Sequence, residues 1–155
     1  MKNYQKLVVS ILIPLVIGVL GSIFTSSSVN SWYLSLNKPF FNPPNFLFAF
    51  VWTTLFVLIG ISFYLVWKNN FGNHKNMAIG VYSVQLFLNL LWSFLFFGLK
   101  TPFFALIEII LLWVVILTNI VVFHRISKPA GFLLIPYLVW VSFAAFLNYF
   151  IFILN

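Results

Sequence analysis

Glu108 is the only carboxylate side chain in the 155-residue sequence, set against eight Lys and Arg, two His and no Cys. That count excludes acid/base catalysis by paired carboxylates and leaves a Ser–His–Asp triad without its acid. The absence of Cys removes disulfides, thiolate metal ligands and thiol nucleophiles together. His74 and His124 fall between apolar runs rather than inside them, which disfavours an axially ligated haem, and no intrinsic cofactor or metal is expected. What remains is aromatic and amide chemistry: six Trp, with Gln85, Asn89 and Asn148 inside apolar runs. Such side chains hold a ligand by stacking, by shape and by single hydrogen bonds.

Membrane helices must position these residues. The chain is 63% hydrophobic and 6% charged, against about 25% charged residues in a soluble domain. A helix needs about 20 apolar residues to cross the hydrocarbon layer, and five runs qualify: 7–27, 45–67, 77–98, 103–123 and 132–153. The expected fold is therefore all-α, an integral membrane bundle of five transmembrane helices forming one domain over 1–155. The first run is longer than the roughly 7–15 residues of a signal-peptide core and no small-residue cleavage site follows it, so it reads as a retained helix. The net charge of +7 is scattered in ones and twos, without the basic stripe that nucleic acid requires. No internal repeat supports an inverted-repeat transporter.

Lys2, Lys6, Lys68, Lys75, Arg125 and Lys128 fall on one side of such a bundle and only Lys38 and Lys100 on the other. For a bacterial plasma membrane this bias places the N-terminus in the cytoplasm and the first loop, 28–44, outside. Asn42 is expected to cap the second helix with Pro43 in its first turn, and Thr101-Pro102 to start the fourth. Pro14 and Pro136 are expected to bend the first and fifth spans. Gly18 with Ser22, or Gly21 with Thr25, gives the small-residue spacing of a close helix contact.

At about 1.5 Å per residue, Trp52, Trp92, Glu108 and Asn148 lie about 8–9 Å below the first-loop face and Asn89 about 14 Å. Trp32 and Trp67 suit the interfacial aromatic belt; Trp52, Trp92, Trp113 and Trp140 do not, because an indole N–H in hydrocarbon needs an acceptor. These four are expected to face the bundle interior, either packed together or lining a pocket. Gln85, Asn89, Trp92 and Phe96 share one helical stripe; Trp52, Phe56, Ile59 and Phe63 share another; Trp140, Phe143, Ala144 and Leu147 form a third. Gln85 and Asn148 also read as interhelical glue, worth about 0.6–2 kcal/mol. Glu108 has two readings, a functional intramembrane acid or a rim ion pair with Lys100.

Three segments, "WYLSLNKPFFNPP" with "FVWTTLFVLIGIS" just after it, "QLFLNLLWSFLFF" and "PYLVWVSFAAFLN", together carry a resemblance to the translocator protein family. Its members are also called tryptophan-rich sensory proteins or peripheral benzodiazepine receptors, and the resemblance covers nearly the whole chain. It implies a five-helix bundle, usually a homodimer, that binds porphyrins such as protoporphyrin IX and synthetic benzodiazepine-site ligands in a pocket closed by the first loop. By position it carries ligand binding onto Gly21, Tyr33, Pro43, Pro44, Trp52, Phe56, Asn89, Trp92, Trp140, Phe143, Ala144 and Leu147. The chain departs from the family at Phe41, where Trp is common, and at Asn45 and Phe46, where a Trp or a basic residue is common. No Lys or Arg follows Tyr149, so sterol binding is disfavoured.

Three functions are compatible with this sequence. One is a receptor or transporter-like module that stacks a porphyrin on Trp52 and Trp140. A second is light-dependent porphyrin degradation, to which family members have been linked, with Trp52 and Trp140 in a photochemical role that needs neither metal nor acid/base pair. The third is an accessory membrane bundle without a ligand.

Overall fold

The computed structural model describes residues 1–155, and every element in it is helical. Five helices are long and apolar enough to cross a membrane. Helix α1 covers Asn3–Ser28, the short α2 covers Trp32–Ser35 in the first loop, and α3 covers Asn45–Lys68. Helix α4 (Lys75–Ser93) runs on as a single π turn, Phe94–Gly98. Helix α5 spans Pro102–Ile126, and the fifth crossing is divided into α6 (Lys128–Leu133) and α7 (Ile135–Leu154).

All five expected crossings are present, most of them longer at an end than hydropathy indicates. Backbone hydrogen bonding carries a helix past its apolar run wherever the next side chain reaches solvent. His124, expected in a loop, lies in the last turn of α5 with its ring on Phe132. Pro136 produces the expected break by sitting in the first turn of α7, just beyond Leu134, where it forfeits no helical hydrogen bond. Pro14 is buried within α1. The expected cap at Asn42 is not formed: α3 begins at Asn45 with extended Pro44 as its N-cap residue. Asn42 Oδ1 instead accepts the Tyr33 hydroxyl at 2.9 Å, because two prolines between Asn42 and the helix carry its amide too far back to reach the first turn. Thr101 does precede α5 with Pro102 in the first turn, although its hydroxyl donates to Leu95 O at 2.8 Å.

The helices form a ring in which α3 packs on α1, α1 on α4, α4 on α5, and α5 on α7. Helix α6 wedges between α3 and α5 at the end away from the first loop, where Ser62 Oγ donates to Ala130 O at 2.7 Å. Helices α3 and α7 touch at few points, so their separation widens toward the first loop. Between α1 and α3 the approach is closest at Gly60, where an added Cβ would lie 2.6 Å from Ser10 O and from Ile11 Cα. Ile59, Val66, Ala78, Ile116, Phe123, Leu134 and Val141 form a fully buried centre. Val8, Leu12, Val16, Val19 and Ile23 of α1 point outward instead, an apolar face suited to hydrocarbon rather than water.

Candidate aromatic binding site

The gap between α3 and α7 is filled by aromatic side chains whose placement follows from helical periodicity. Trp52 and Phe56, one turn apart on α3, stack with centroids 5.6 Å apart. Trp52 meets Tyr137 in a T-shaped contact at 6.3 Å, and Phe48, one turn earlier, meets Trp140 in another at 5.7 Å. These two edge contacts, each worth about 0.5–1.5 kcal/mol beyond area burial, bridge helices that otherwise barely meet. Trp140 continues onto Phe143 at 5.4 Å. Its indole N–H is buried without a hydrogen-bond acceptor.

Polar side chains at the rear of this cluster are ordered by Tyr137. Its hydroxyl donates to Gln85 Oε1 at 2.9 Å and accepts from Asn89 Nδ2 at 2.6 Å. Asn89 is therefore tied to the α7 wall. Trp92, one turn further, donates its indole N–H to Asn148 Oδ1 at 3.0 Å, and Asn148 Nδ2 donates to Pro102 O at 2.9 Å. This relay joins α4, α7 and the start of α5. Asn148→Leu leaves the Trp92 N–H without a partner and removes the link to Pro102 at the start of α5, with an expected cost of about 1–3 kcal/mol, read as a lower melting temperature in detergent. Trp113, also expected to face inward, donates to Ser142 Oγ at 2.7 Å.

Toward the first loop, a second cluster of Tyr33, Phe96, Phe97, Ala105, Leu147 and Ile151 closes the bundle. Trp92 stacks on Phe96 at 5.0 Å, and Tyr33 meets Phe96 at 6.3 Å and Phe97 at 5.6 Å. Burial pushes the Tyr33 phenol above its ordinary value, the Asn42 side chain acting in the opposite sense, so the hydroxyl keeps its proton at neutral pH. Lys38 Nζ donates to Tyr33 O at 2.7 Å and Leu36 O at 3.2 Å, and lies over the Tyr33 ring. Phe41 reaches over the cluster to Phe143 at 6.2 Å and Phe150 at 5.5 Å.

The loop is also fastened to the end of α7. Asn37 N–H donates to Asn155 Oδ1 at 3.0 Å, and Asn155 Nδ2 donates back to Asn37 O at 2.9 Å. Asn155→Ala removes both, and limited proteolysis within 36–44 is expected to accelerate while helical circular dichroism stays unchanged.

Of the residues singled out from sequence, the structure gathers Tyr33, Trp52, Phe56, Asn89, Trp92, Trp140, Phe143, Ala144 and Leu147 into these linked clusters. Pro43 is half-buried and Pro44 exposed; both shape the entry into α3. Gly21 is buried at the α1–α4 contact, where an added Cβ would lie 3.2 Å from Ser93 Oγ. The rim ion pair between Glu108 and Lys100 is not formed. Glu108 is 6% exposed with neither oxygen partnered, while Lys100 is exposed at a left-handed turn (φ 56°) that ends the π turn. Sequence reasoning missed Tyr137 and Phe48. Tyr137 lies three residues before Trp140 and seven before Ala144, so the stripe on the fifth span reaches it, and Phe48 extends the α3 stripe by one turn.

The TspO/MBR family matches residues 10–154 of the chain. The chain is 48% identical over 153 residues to the tryptophan-rich protein TspO of Archaeoglobus fulgidus, with 99% of each chain covered. Identity to the tryptophan-rich protein TspO of Chlorobaculum tepidum is 42% over 158 aligned residues, covering 99% of this chain and 98% of the other. A mammalian relative, the translocator protein of Bos taurus, is 37% identical over 140 residues, covering 89% of this chain and 83% of its own.

Proposed function

The chain belongs to the TspO/MBR family and is a multi-pass membrane protein, and from that premise we propose that it is a receptor or transporter-like module for porphyrins. A flat, apolar tetrapyrrole such as protoporphyrin IX enters from the first-loop side, separates the Phe48–Trp140 and Trp52–Tyr137 contacts, and stacks on Trp52 and Trp140. Phe41, Tyr33 and the Asn37–Asn155 tether hold the first loop over it. In this reading the cell-membrane orientation puts the first loop outside, with two such chains forming a homodimer. Synthetic benzodiazepine-site ligands occupy the same space.

The observation that carries the proposal is the gap between α3 and α7, bridged by aromatic edges that a flat ring system can replace with faces. A bundle meant only to pack would fill that seam with small aliphatic residues and would not bury the Trp140 N–H without an acceptor. Titrating protoporphyrin IX into the protein in detergent while following tryptophan emission is expected to give saturable quenching. A linear, non-saturating decrease would instead identify an accessory bundle without a ligand.

Light-dependent degradation is a second reading, favoured by the indoles of Trp52 and Trp140 at the proposed stacking faces. The porphyrin is its own chromophore, so the protein supplies confinement and an electron-donating ring. Illuminated porphyrin is expected to bleach with a different product spectrum in the presence of the protein than in its absence. Identical spectra with the protein and with its Trp52→Phe/Trp140→Phe variant would reject this activity and leave binding standing.

A further inference from the structure

Of the eight Lys and Arg, only Lys38 and Lys100 lie at the first-loop end of the bundle, one between α2 and α3 and the other between the π turn and α5. They are held differently. Lys100 is exposed, whereas Lys38 is half-buried, with Nζ donating to Tyr33 O at 2.7 Å and Leu36 O at 3.2 Å and lying 4.7 Å from the Tyr33 ring centroid. An ammonium has three N–H donors, so one is left over. Two carbonyls and a ring face fix this long side chain in place, yet they leave its positive charge uncancelled. No carboxylate side chain of the first loop can cancel it, because the only one in the sequence, Glu108, is buried on α5.

This fixed charge stands at the mouth of the aromatic site. The Tyr33 ring beneath it rests on Phe96, which stacks on Trp92. Three residues further along the loop, Phe41 reaches Phe143 and through it Trp140. Three residues of chain span at most about 11 Å, which keeps the cation and the aromatic wall on one rim. Building on the porphyrin reading above, we propose that Lys38 is a carboxylate-binding residue that selects, among flat tetrapyrroles, those carrying free carboxyls along one edge. The apolar edge enters between Trp52 and Trp140, and the carboxylate arms stay at the first loop, where the remaining N–H of Lys38 donates to one of them. An ammonium already ordered by the loop loses little rotamer freedom when it takes up the anion, whereas Lys100 would have to be ordered from solvent. A charge pair at a rim contributes more to selectivity than to raw affinity, so the residue sets which tetrapyrroles are accepted.

Protoporphyrin IX and its dimethyl ester share one ring and differ only at the carboxyl arms, so titrating each in non-ionic detergent while following tryptophan emission isolates the carboxylate contribution. Uneven partition of the two forms into micelles is common to every variant and cancels when acid-to-ester affinity ratios are compared. In Lys38→Gln, whose amide can still donate to the loop carbonyls, that ratio is expected to fall about fivefold, the upper end for an exposed ion pair, with ester affinity unchanged. Lys38→Arg keeps the charge and should keep the ratio, as should Lys100→Gln. Lys38→Met serves the same comparison should the glutamine variant not fold. A ratio unchanged in the neutral variant overturns the assignment. So does an equal loss for acid and ester, which would make Lys38 only a fastener of the first loop. No saturable quenching by either form in the parent would instead remove the porphyrin site itself, and this role of Lys38 with it.

Discussion

The double variant Trp52→Phe/Trp140→Phe is expected to weaken protoporphyrin IX binding by about 5- to 150-fold, the range given by two lost aromatic contacts of about 0.5–1.5 kcal/mol each. Phenylalanine keeps an apolar ring at both positions but loses the second ring and the indole N–H. The variant should therefore fold, with its face-on contact area reduced on both sides of the ligand. Four of the six tryptophans remain, so emission quenching still reports the titration. Trp67→Phe is the matched control: it lies at the opposite end of α3, with Lys6 Nζ 5.8 Å from its ring centroid, and its loss should leave affinity unchanged. Equal affinity for the double variant and the parent would remove Trp52 and Trp140 from the site. A loss confined to one single variant would place the ligand against one wall of the gap rather than between both.

Gly60→Ala is expected to cause the largest loss of stability of any single methyl addition in the chain's transmembrane contacts. In the middle of α3, alanine would ordinarily gain about 1 kcal/mol over glycine in helix propensity. Here its Cβ would lie 2.6 Å from both Ser10 O and Ile11 Cα, which are backbone atoms that no rotamer change can move aside. The outcome is set by the contact: α1 must separate from α3 along their principal interface, an overpacking cost of about 1–3 kcal/mol that exceeds the propensity gain. Gly18→Ala meets the Phe56 ring at 2.7 Å, a side chain that can swing away, and should cost less while disturbing the ring on which Trp52 stacks. Gly80 has nothing within 4 Å, and Gly80→Ala should be neutral or stabilising. Thermal unfolding in detergent orders the three; equal melting temperatures for the Gly60 and Gly80 variants would contradict the close packing of α1 on α3.

Much of the candidate site is legible in sequence because its residues repeat at helical spacing. Trp52 and Phe56 lie one turn apart on α3, as do Asn89 and Trp92 on α4, and Trp140 and Ala144 on α7. An indole or amide in hydrocarbon must turn inward whatever its neighbours are. Asn42 shows where this reasoning stops. Its type and position before two prolines fit a helix cap, but the chain path through Pro43 and Pro44 brings it to Tyr33 instead. Glu108 and Lys100 are eight positions apart with one expected on the rim, yet the π turn and the left-handed Lys100 set the lysine outward while α5 rotates the acid inward.

Sequence alone determined that five helices cross a membrane, that the chain resembles the translocator family, and that aromatic and amide faces point into the bundle. Apolar length and helical period are local properties, and they are complete once the residues are written down. Tertiary structure alone decided which inward faces meet. It placed Tyr137 between Trp52, Gln85 and Asn89, left Glu108 without a partner, joined Trp92 to Asn148, and brought Asn37 to Asn155. Those pairings depend on the axial register and rotation of helices distant in sequence, which are set by close approaches such as Gly60 on Ser10 and Ile11. No local pattern encodes a register between two helices, because it is the shape of both surfaces at once that selects it.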